Sequence, residues 1–247
     1  MLGLGTGFYG VGGETYFGGE WFPSDESSLE AWWRNKVGIT LKSGTENVSQ
    51  WADQSGNGHH MLQADTGEQP AYNITTGALT FDPTSDTQNL ALLDGPGATY
   101  DPTSIELGGT FVIGIKMNPA AVSTVPLGSN ADPSEMIKIQ TSSTIRLKND
   151  SSGNKDFTLD SGATTDDSYW VIARDSGGDT TLHKDGVANP SSAISVPGTF
   201  DIDAIGVRRT DLNPFNGTIK EIVIFKNVED EDFHDLVANI NDRLSGL

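Results

Sequence analysis

The segment VSQWADQSGNGHH, residues 48–60, is the most specific pattern in the chain. Its glycines, Gly56 and Gly58, permit backbone conformations with positive φ, which favours a tight loop. The polar side chains before and between them can bond nearby backbone amides and lock that loop. A tryptophan just before the loop would anchor it on the core. The residues expected to build this structural loop are Trp51, Asp53, Ser55, Gly56, Asn57 and Gly58.

On both sides of this loop the chain consists of short apolar or alternating runs separated by turn residues. Strand-length runs with such punctuation are typical of an all-β sandwich. The clearest runs are residues 31–34, 78–81, 110–117, 136–140, 144–148, 169–174, 180–184, 204–208 and 218–225. The side chains that we expect in the core are Trp51, Phe81, Phe111, Ile113, Ile115, Trp170, Ile172, Ile205, Val207, Ile222 and Ile224. Of the adjacent pair Trp32 and Trp33, strand alternation predicts one in the core and one on the surface.

One helix is predicted, over residues 229–244. Apolar residues recur there at the spacing of a single helical face. Acidic residues crowd its first turn, where the helix dipole favours negative charge. The sequence therefore predicts an all-β protein with one short C-terminal helix.

Several segments together resemble one known family. The pattern D-x-S-G-N-G-x-H at 53–60 is similar to the opening motif of LamG-like, concanavalin A-like domains. Further segments resemble the same family in the same order, and His183 replaces the tyrosine of its hairpin motif. These segments are residues 78–82, 109–113, 168–175, 182–187 and 215–222. The resemblance implies a two-sheet antiparallel jelly-roll sandwich over residues 28–247, preceded by an N-terminal arm, 1–27.

Composition excludes several classes of function. The 247 residues carry a net charge of −19, so nucleic-acid binding is not expected. The absence of cysteine excludes disulfides, thiolate metal sites and thiol catalysis, and favours a prokaryotic or viral source. No apolar run approaches the roughly 20 residues that cross a bilayer, so we expect no membrane insertion. The first residues lack the features of a signal peptide.

A calcium site is the one cofactor left open by the sequence. Hard cations take about 6–8 oxygen ligands, and Asp53, Asn57, Asp82 and Asp86 could supply some of them. The alternative, which we favour, is that the loop is locked without metal and that no cofactor is bound. His59 and His60 are adjacent and would point to opposite faces of a strand, which disfavours a zinc site.

Catalysis is not expected. Glucanases of this fold resemble one another in an E-x-D-x-x-E strand that places the catalytic carboxylates on one face. No glutamate in the chain is followed by aspartate two positions later. The acidic run 229–232 is interpreted as a helix start. We therefore expect a binding protein or a structural protein and not an enzyme.

The first twenty residues have an unusual composition. Eight of them are glycine, interleaved with apolar side chains that a solvated linker would lack. One interpretation is a disordered terminus; the other is an assembly arm that becomes ordered against a neighbouring subunit. The arm residues that would make these contacts are Leu2, Leu4, Phe8, Tyr9, Val11, Tyr16 and Phe17.

The arm and the W-x-P-x-D segment after it resemble LamG-like proteins of tailed, often marine, bacteriophages. That resemblance implies a virion structural protein, a head decoration or a head or tail fibre component, on the virion surface. Its partners would be other virion proteins and further copies of the chain, with a host glycan as an additional partner. The alternative is a carbohydrate-binding module for host adsorption or in a bacterial surface protein, since concanavalin A-like folds often bind glycans.

Overall fold

A computed structural model of the chain describes residues 21–84, 87–92, 104–129, 136–149, 153–159, 162–164, 167–188, 193–208 and 212–247. These residues form a β-sandwich with one helix on an outer face. The strands are β1 (Leu29–Trp33), β2 (Ile39–Leu41), β3 (Val48–Trp51), β4 (Met61–Leu62), β5 (Ala71–Tyr72), β6 (Leu79–Phe81), β7 (Leu90–Leu92), β8 (Ile105–Leu107), β9 (Phe111–Pro119), β10 (Thr124–Gly128), β11 (Met136–Thr141), β12 (Thr144–Lys148), β13 (Lys155–Thr158), β14 (Ser168–Arg174), β15 (Asp179–Lys184), β16 (Val187–Ala188), β17 (Ile194–Ser195), β18 (Phe200–Ile202), β19 (Ala204–Ile205) and β20 (Gly217–Lys226). A 3-10 helix at Pro23–Asp25 precedes β1, and the α-helix α1 (Phe233–Ser245) follows β20.

Two nine-stranded antiparallel sheets make the sandwich. The first sheet has the order β16-β15-β14-β9-β20-β6-β5, with β1 paired to β20 and β17 paired to β15. The second sheet has the order β13-β12-β11-β10-β19-β7-β4-β3-β2. Strands β8 and β18 form a separate pair. The predicted fold class is therefore confirmed.

The main core lies between the two sheets. Strand alternation turns one face of each sheet inward, and the inward residues form one continuous apolar cluster. All eleven side chains predicted for the core are buried, each at most 1% exposed. Strand β20 is apolar on both faces because it lies inside the first sheet, between the core and α1.

Helix α1 packs on the outer face of the first sheet. Its buried residues, Leu236, Val237, Ile240 and Leu244, cover outward-facing residues of β9, β14 and β20. Gly114 on β9 makes the close approach possible, because a Cβ there would lie 2.6 Å from Cγ2 of Ile240. The helix thus forms a third layer. Within the described part of the chain, no helix has the length and apolar character needed to cross a membrane.

The expectation that one of two adjacent tryptophans would be exposed is wrong. Trp33 points into the main core, and Trp32 points outward, yet Trp32 is only 3% exposed. The guanidinium groups of Arg34 and Arg243 lie 5.1 and 4.8 Å from its ring centroid. The two side chains do point to opposite faces of the first sheet, as strand alternation predicts, but α1 covers the outer face and buries Trp32 as well.

The helix begins four residues later than predicted. The predicted start was residue 229, whereas α1 begins at Phe233. The chain leaves β20 through Asn227 with φ of 54°, and the hydroxyl of Thr110 donates to the carbonyl of Val228. The acidic residues before Phe233 therefore belong to a turn that is anchored on the first sheet.

Candidate functional site

Asp53 organises the loop between β3 and β4. Its Oδ1 accepts hydrogen bonds from the backbone N–H groups of Trp32 and Ser55, at 2.8 and 2.9 Å. Its Oδ2 accepts from the hydroxyl of Ser55 at 2.6 Å and from the N–H groups of Gly58 and His59 at 3.1 Å each. These five bonds use the acceptor capacity of an ionised carboxylate. The loop is thereby tied to itself and to the first sheet.

The sequence suggested that the Asn57 side chain bonds backbone N–H groups, and this prediction is wrong. Its Nδ2 donates to the carbonyl oxygens of Leu29 and Glu30, at 3.1 and 2.9 Å. A register shift between Leu29 and Ala31 interrupts the pairing of β1 with β20, which gives these carbonyls a need for other donors. The glycines on either side of Asn57 have φ of 93° and 84°, as their pattern predicts.

The calcium candidates lie on different elements. Asp53 and Asn57 belong to this loop, whereas Asp82 follows β6 and is exposed. Hydrogen bonds from the hydroxyl and the N–H of Thr84 hold the pKa of Asp82 below its usual value. Asp86 lies outside the described residues, as do the arm residues 1–20. In the ranges that the structure describes, no three His, Cys, Asp or Glu side chains are grouped as metal ligands.

A polar cleft of about 290 Å³ opens beside the loop. It lies where β1 begins, β20 ends and the turn before α1 starts, so chain segments far apart in sequence meet there. We call it the rim cleft. It is lined by Glu26, Ser27, Ser28, Leu29, Glu30, Asn57, Lys226, Asn227, Glu229 and Asp232.

One part of the rim cleft is fixed by an ion pair and a hydrogen bond. Oε1 of Glu30 lies 2.6 Å from Nζ of Lys226 and 3.0 Å from Nε2 of His59. The Glu30 side chain is only 12% exposed, so these contacts are partly shielded from water. His60 has another partner, since its Nδ1 accepts from the N–H of Asp53 at 3.1 Å. The two histidines thus serve different contacts.

Another part of the rim cleft has unused polar groups. The side chains of Asn227, Glu229 and Asp232 form no hydrogen bond or ion pair with any described residue, and all three are exposed. Asp232 occupies the N-cap position of α1 without capping it. These carboxylates can accept hydrogen bonds, and the amide can both donate and accept. Such a set suits a ligand that carries several neighbouring hydroxyl groups.

An aromatic side chain lies next to the cleft. Nε1 of Trp21 donates to Oε1 of Glu26 at 2.8 Å, and the Trp21 ring packs 6.4 Å from that of Phe225. Trp21 also lines a second hollow of about 360 Å³, together with residues from the last turns of α1 and the two residues after it. A half-buried ring is thus held by Glu26, a residue that lines the rim cleft.

Sequence reasoning missed most of the rim cleft. It identified Asn57, but it interpreted Glu229 and Asp232 as the first turn of a helix. It gave no role to Glu30 or Asn227. No local pattern could have joined these residues, because the cleft exists only after β1 and β20 have paired.

Comparison with known proteins relates the chain to binding domains through its fold. No family model matches the sequence, and no curated protein matches it. One similar solved structure is the botulinum neurotoxin serotype D binding domain, with a TM-score of 0.54 and 14% identity over 90% of this chain and 51% of that chain. A second, that serotype's ligand binding domain in complex with N-acetylneuraminic acid, has a TM-score of 0.53, 15% identity and the same coverage of 90% and 51%.

A third similar structure is domain 4 of AbnA, a GH43 extracellular arabinanase from Geobacillus stearothermophilus, in complex with arabinotriose. Its TM-score is 0.53, with 17% identity over 87% of this chain and 97% of that domain. The chain thus spans about half the length of the neurotoxin chains and nearly the whole AbnA domain. At these identities the likeness concerns the fold: the chain has the β-sandwich architecture of these binding domains.

Proposed function

We propose that the chain is a non-catalytic carbohydrate-binding domain and that the rim cleft is its sugar site. The observation that carries the proposal is the unpartnered set Asn227, Glu229 and Asp232 in a cleft of about 290 Å³. Sugar recognition needs a few positioned polar groups in a concave site. The proposal is also supported by the similar binding domains, two of which were solved with a sugar ligand, N-acetylneuraminic acid or arabinotriose.

Three carboxyl groups are unsuited to act as the proton donor in glycoside hydrolysis. A glycoside hydrolase needs one carboxylic acid whose pKa is raised so that it can donate a proton. Hydrogen bonds from Thr84 and Arg146 lower the pKa of Asp82 and Asp156 respectively, so neither of these groups is such an acid. In the rim cleft, Glu30 is already engaged by Lys226 and His59.

The test is calorimetric titration of the full chain with neutral mono- and oligosaccharides, including arabinotriose. Asn227→Gly removes the amide and keeps the left-handed backbone, which glycine adopts without strain. We expect this variant and Glu229→Gln each to weaken binding roughly 3- to 10-fold, the equivalent of about one hydrogen bond. The matched control is Ser123→Gly, an exposed position with φ of 61° outside the cleft, which should bind as the wild type does.

Two results would overturn the proposal. One is that no neutral saccharide binds to the wild-type chain. The other is that a saccharide binds with the same affinity to Asn227→Gly, Glu229→Gln and the control, which would place the sugar elsewhere.

The virion role stays a separate prediction. It rests on the resemblance of the glycine-rich arm and the segment after it to bacteriophage proteins, and the arm lies outside the described residues. The two roles are compatible, since a virion surface protein can also bind a host glycan. Assembly would involve residues 1–20, whereas sugar binding would involve the rim cleft, so each can be tested without the other.

A further inference from the structure

A group of positive side chains lies on the outer face of the second sheet. Lys138 on β11 is directly opposite Arg146 on β12. The residues that flank Lys138 in sequence, Ile137 and Ile139, are part of the main core. Because successive side chains of a strand alternate, Lys138 and its cross-strand partner Arg146 face away from the core. The chain has a net charge of −19, so this arrangement opposes its overall charge.

The like charges are only partly compensated. Arg146 is paired with Asp156 on β13, through hydrogen bonds of 2.7 and 2.8 Å. Lys138 forms no hydrogen bond or ion pair within the part of the chain that the structure describes. Burial, and then the charges of Arg208 and Arg146, lower the pKa of Lys138. Like charges directly opposite each other destabilise a sheet. Lys138 makes no described contact that would offset this destabilisation.

An unsatisfied amide lies on the same strand as this lysine. Gln140, two positions along β11, has a side-chain oxygen that is buried and has no hydrogen-bond partner among the described residues. A buried polar atom of this kind usually has a partner. Rotating the amide by about 180° would put its two N–H donors at the position that the oxygen now occupies. An acceptor that met both Lys138 and Gln140 would satisfy both groups.

We propose that this face binds an acidic sugar, whose carboxylate or sulfate group is held by Lys138 with Gln140 beside it on the same strand. Elsewhere the negative surface repels anions, so an anionic group is drawn to this position. The site is on the second sheet, whereas the rim cleft is at the edge of the first sheet. The inference rests on the proposed function only in taking a glycan as the carrier of the anion.

The experiment titrates the full chain with trigalacturonate, with a sulfated disaccharide and with inorganic sulfate at low ionic strength. We expect at least one acidic saccharide to bind, and Lys138→Gln to weaken that binding tenfold or more. The control Lys36→Gln makes the same charge change at an exposed residue between β1 and β2 and should have no effect. Asn227→Gly in the rim cleft should also leave acidic-sugar binding unchanged, and Lys138→Gln should leave neutral-sugar binding unchanged.

Thermal unfolding without ligand gives a second readout. Lys138→Gln should melt at a higher temperature than the wild type, because it removes a like-charge contact, so lost binding cannot be attributed to misfolding. Binding of inorganic sulfate alone would overturn the proposal, as would acidic-saccharide binding that Lys138→Gln leaves unchanged. Acidic-sugar binding that is lost in Asn227→Gly and kept in Lys138→Gln would overturn it too, by assigning that sugar to the rim cleft.

Discussion

The Nε of Arg243 on α1 donates to Oε1 of Glu221 on β20 at 2.6 Å, and the Glu221 side chain is completely buried. The same carboxylate accepts from Nε1 of Trp32 at 2.9 Å and from the N–H of Asn35 at 3.0 Å. One carboxylate therefore joins the helix, the first sheet and the loop after β1.

Removing one partner of this pair should be costly. We expect Glu221→Ala to lower the free energy of unfolding by roughly 3–5 kcal/mol, because the Arg243 guanidinium, on a side chain only 11% exposed, would lose its charge partner. The double variant Glu221→Leu with Arg243→Leu should recover much of the loss, since neither charge remains buried. Urea denaturation measures both, and a loss below about 1 kcal/mol for the single variant would contradict this account.

Asp53 should contribute to stability through its hydrogen bonds to the loop. Asp53→Ala leaves donors of Trp32, Ser55, Gly58 and His59 without their acceptor, and we expect a loss of roughly 1–3 kcal/mol. Adding a chelator distinguishes the two interpretations of the loop. A metal-free loop keeps its melting temperature, whereas a bound calcium ion would make the wild type melt lower after chelation.

Gly114 should be intolerant of any side chain. Its Cβ position lies 2.6 Å from Ile240 and 3.0 Å from Leu244, so Gly114→Ala forces α1 away from the sheet. We expect a loss of roughly 1–3 kcal/mol, typical of overpacking. Gly153→Ala, where no described residue outside its chain neighbours lies within 4 Å of the added Cβ, is the control and should unfold as the wild type does. Equal stability of the two variants would contradict the close packing of α1 on Gly114.

His183 should make the protein less stable in mild acid. Burial lowers its pKa below the ordinary 6.5, so the unfolded chain binds a proton more readily than the folded one. Stability from this residue is complete above about pH 6.5 and is lost as the pH falls through the lower, folded value. The wild type should therefore lose unfolding free energy between pH 7.5 and pH 5.5. In His183→Tyr, the part of this loss that comes from residue 183 should disappear. A difference between wild type and variant that does not change with pH would refute the effect.

The assembly arm can be tested by truncation. Trp21 and Phe22 pack with the helix layer, so a chain that starts at Trp21 keeps every described contact. We expect it to melt at nearly the wild-type temperature but to lose its association into oligomers or particles. Light scattering coupled to size exclusion measures the association. A truncated chain that still assembles fully, or that cannot fold, would show the arm hypothesis to be wrong.

Much of the fold could be predicted because its determinants are local. Alternation in runs such as Thr144–Lys148 predicted a strand with the bounds that the structure has. The positive φ of Gly56 and Gly58 follows from residue type alone. The run 204–208 was cut short to Ala204–Ile205, because Gly206 turns away with φ of 86°. Periodicity detects a strand better than it detects the residue at which the strand ends.

The rest depended on contacts between distant segments. The burial of Trp32 needs α1, some two hundred residues later, and the rim cleft needs Glu30 beside Lys226. The sequence around Trp32 or Glu30 contains no pattern that indicates its distant contact. The same holds for Lys138, whose position opposite Arg146 requires the register of β11 and β12.

Strand β20 pairs with β9, β6 and β1, so one of the last strands in the chain holds together the centre of the first sheet. Leu29 is registered against Phe225, which makes this a contact of very long sequence separation. Contacts of that kind must wait for loop closure, which slows folding. On the ribosome, β9 and β6 emerge long before their shared neighbour does. Their exposed edges have to be kept from pairing wrongly until synthesis has passed residue 226.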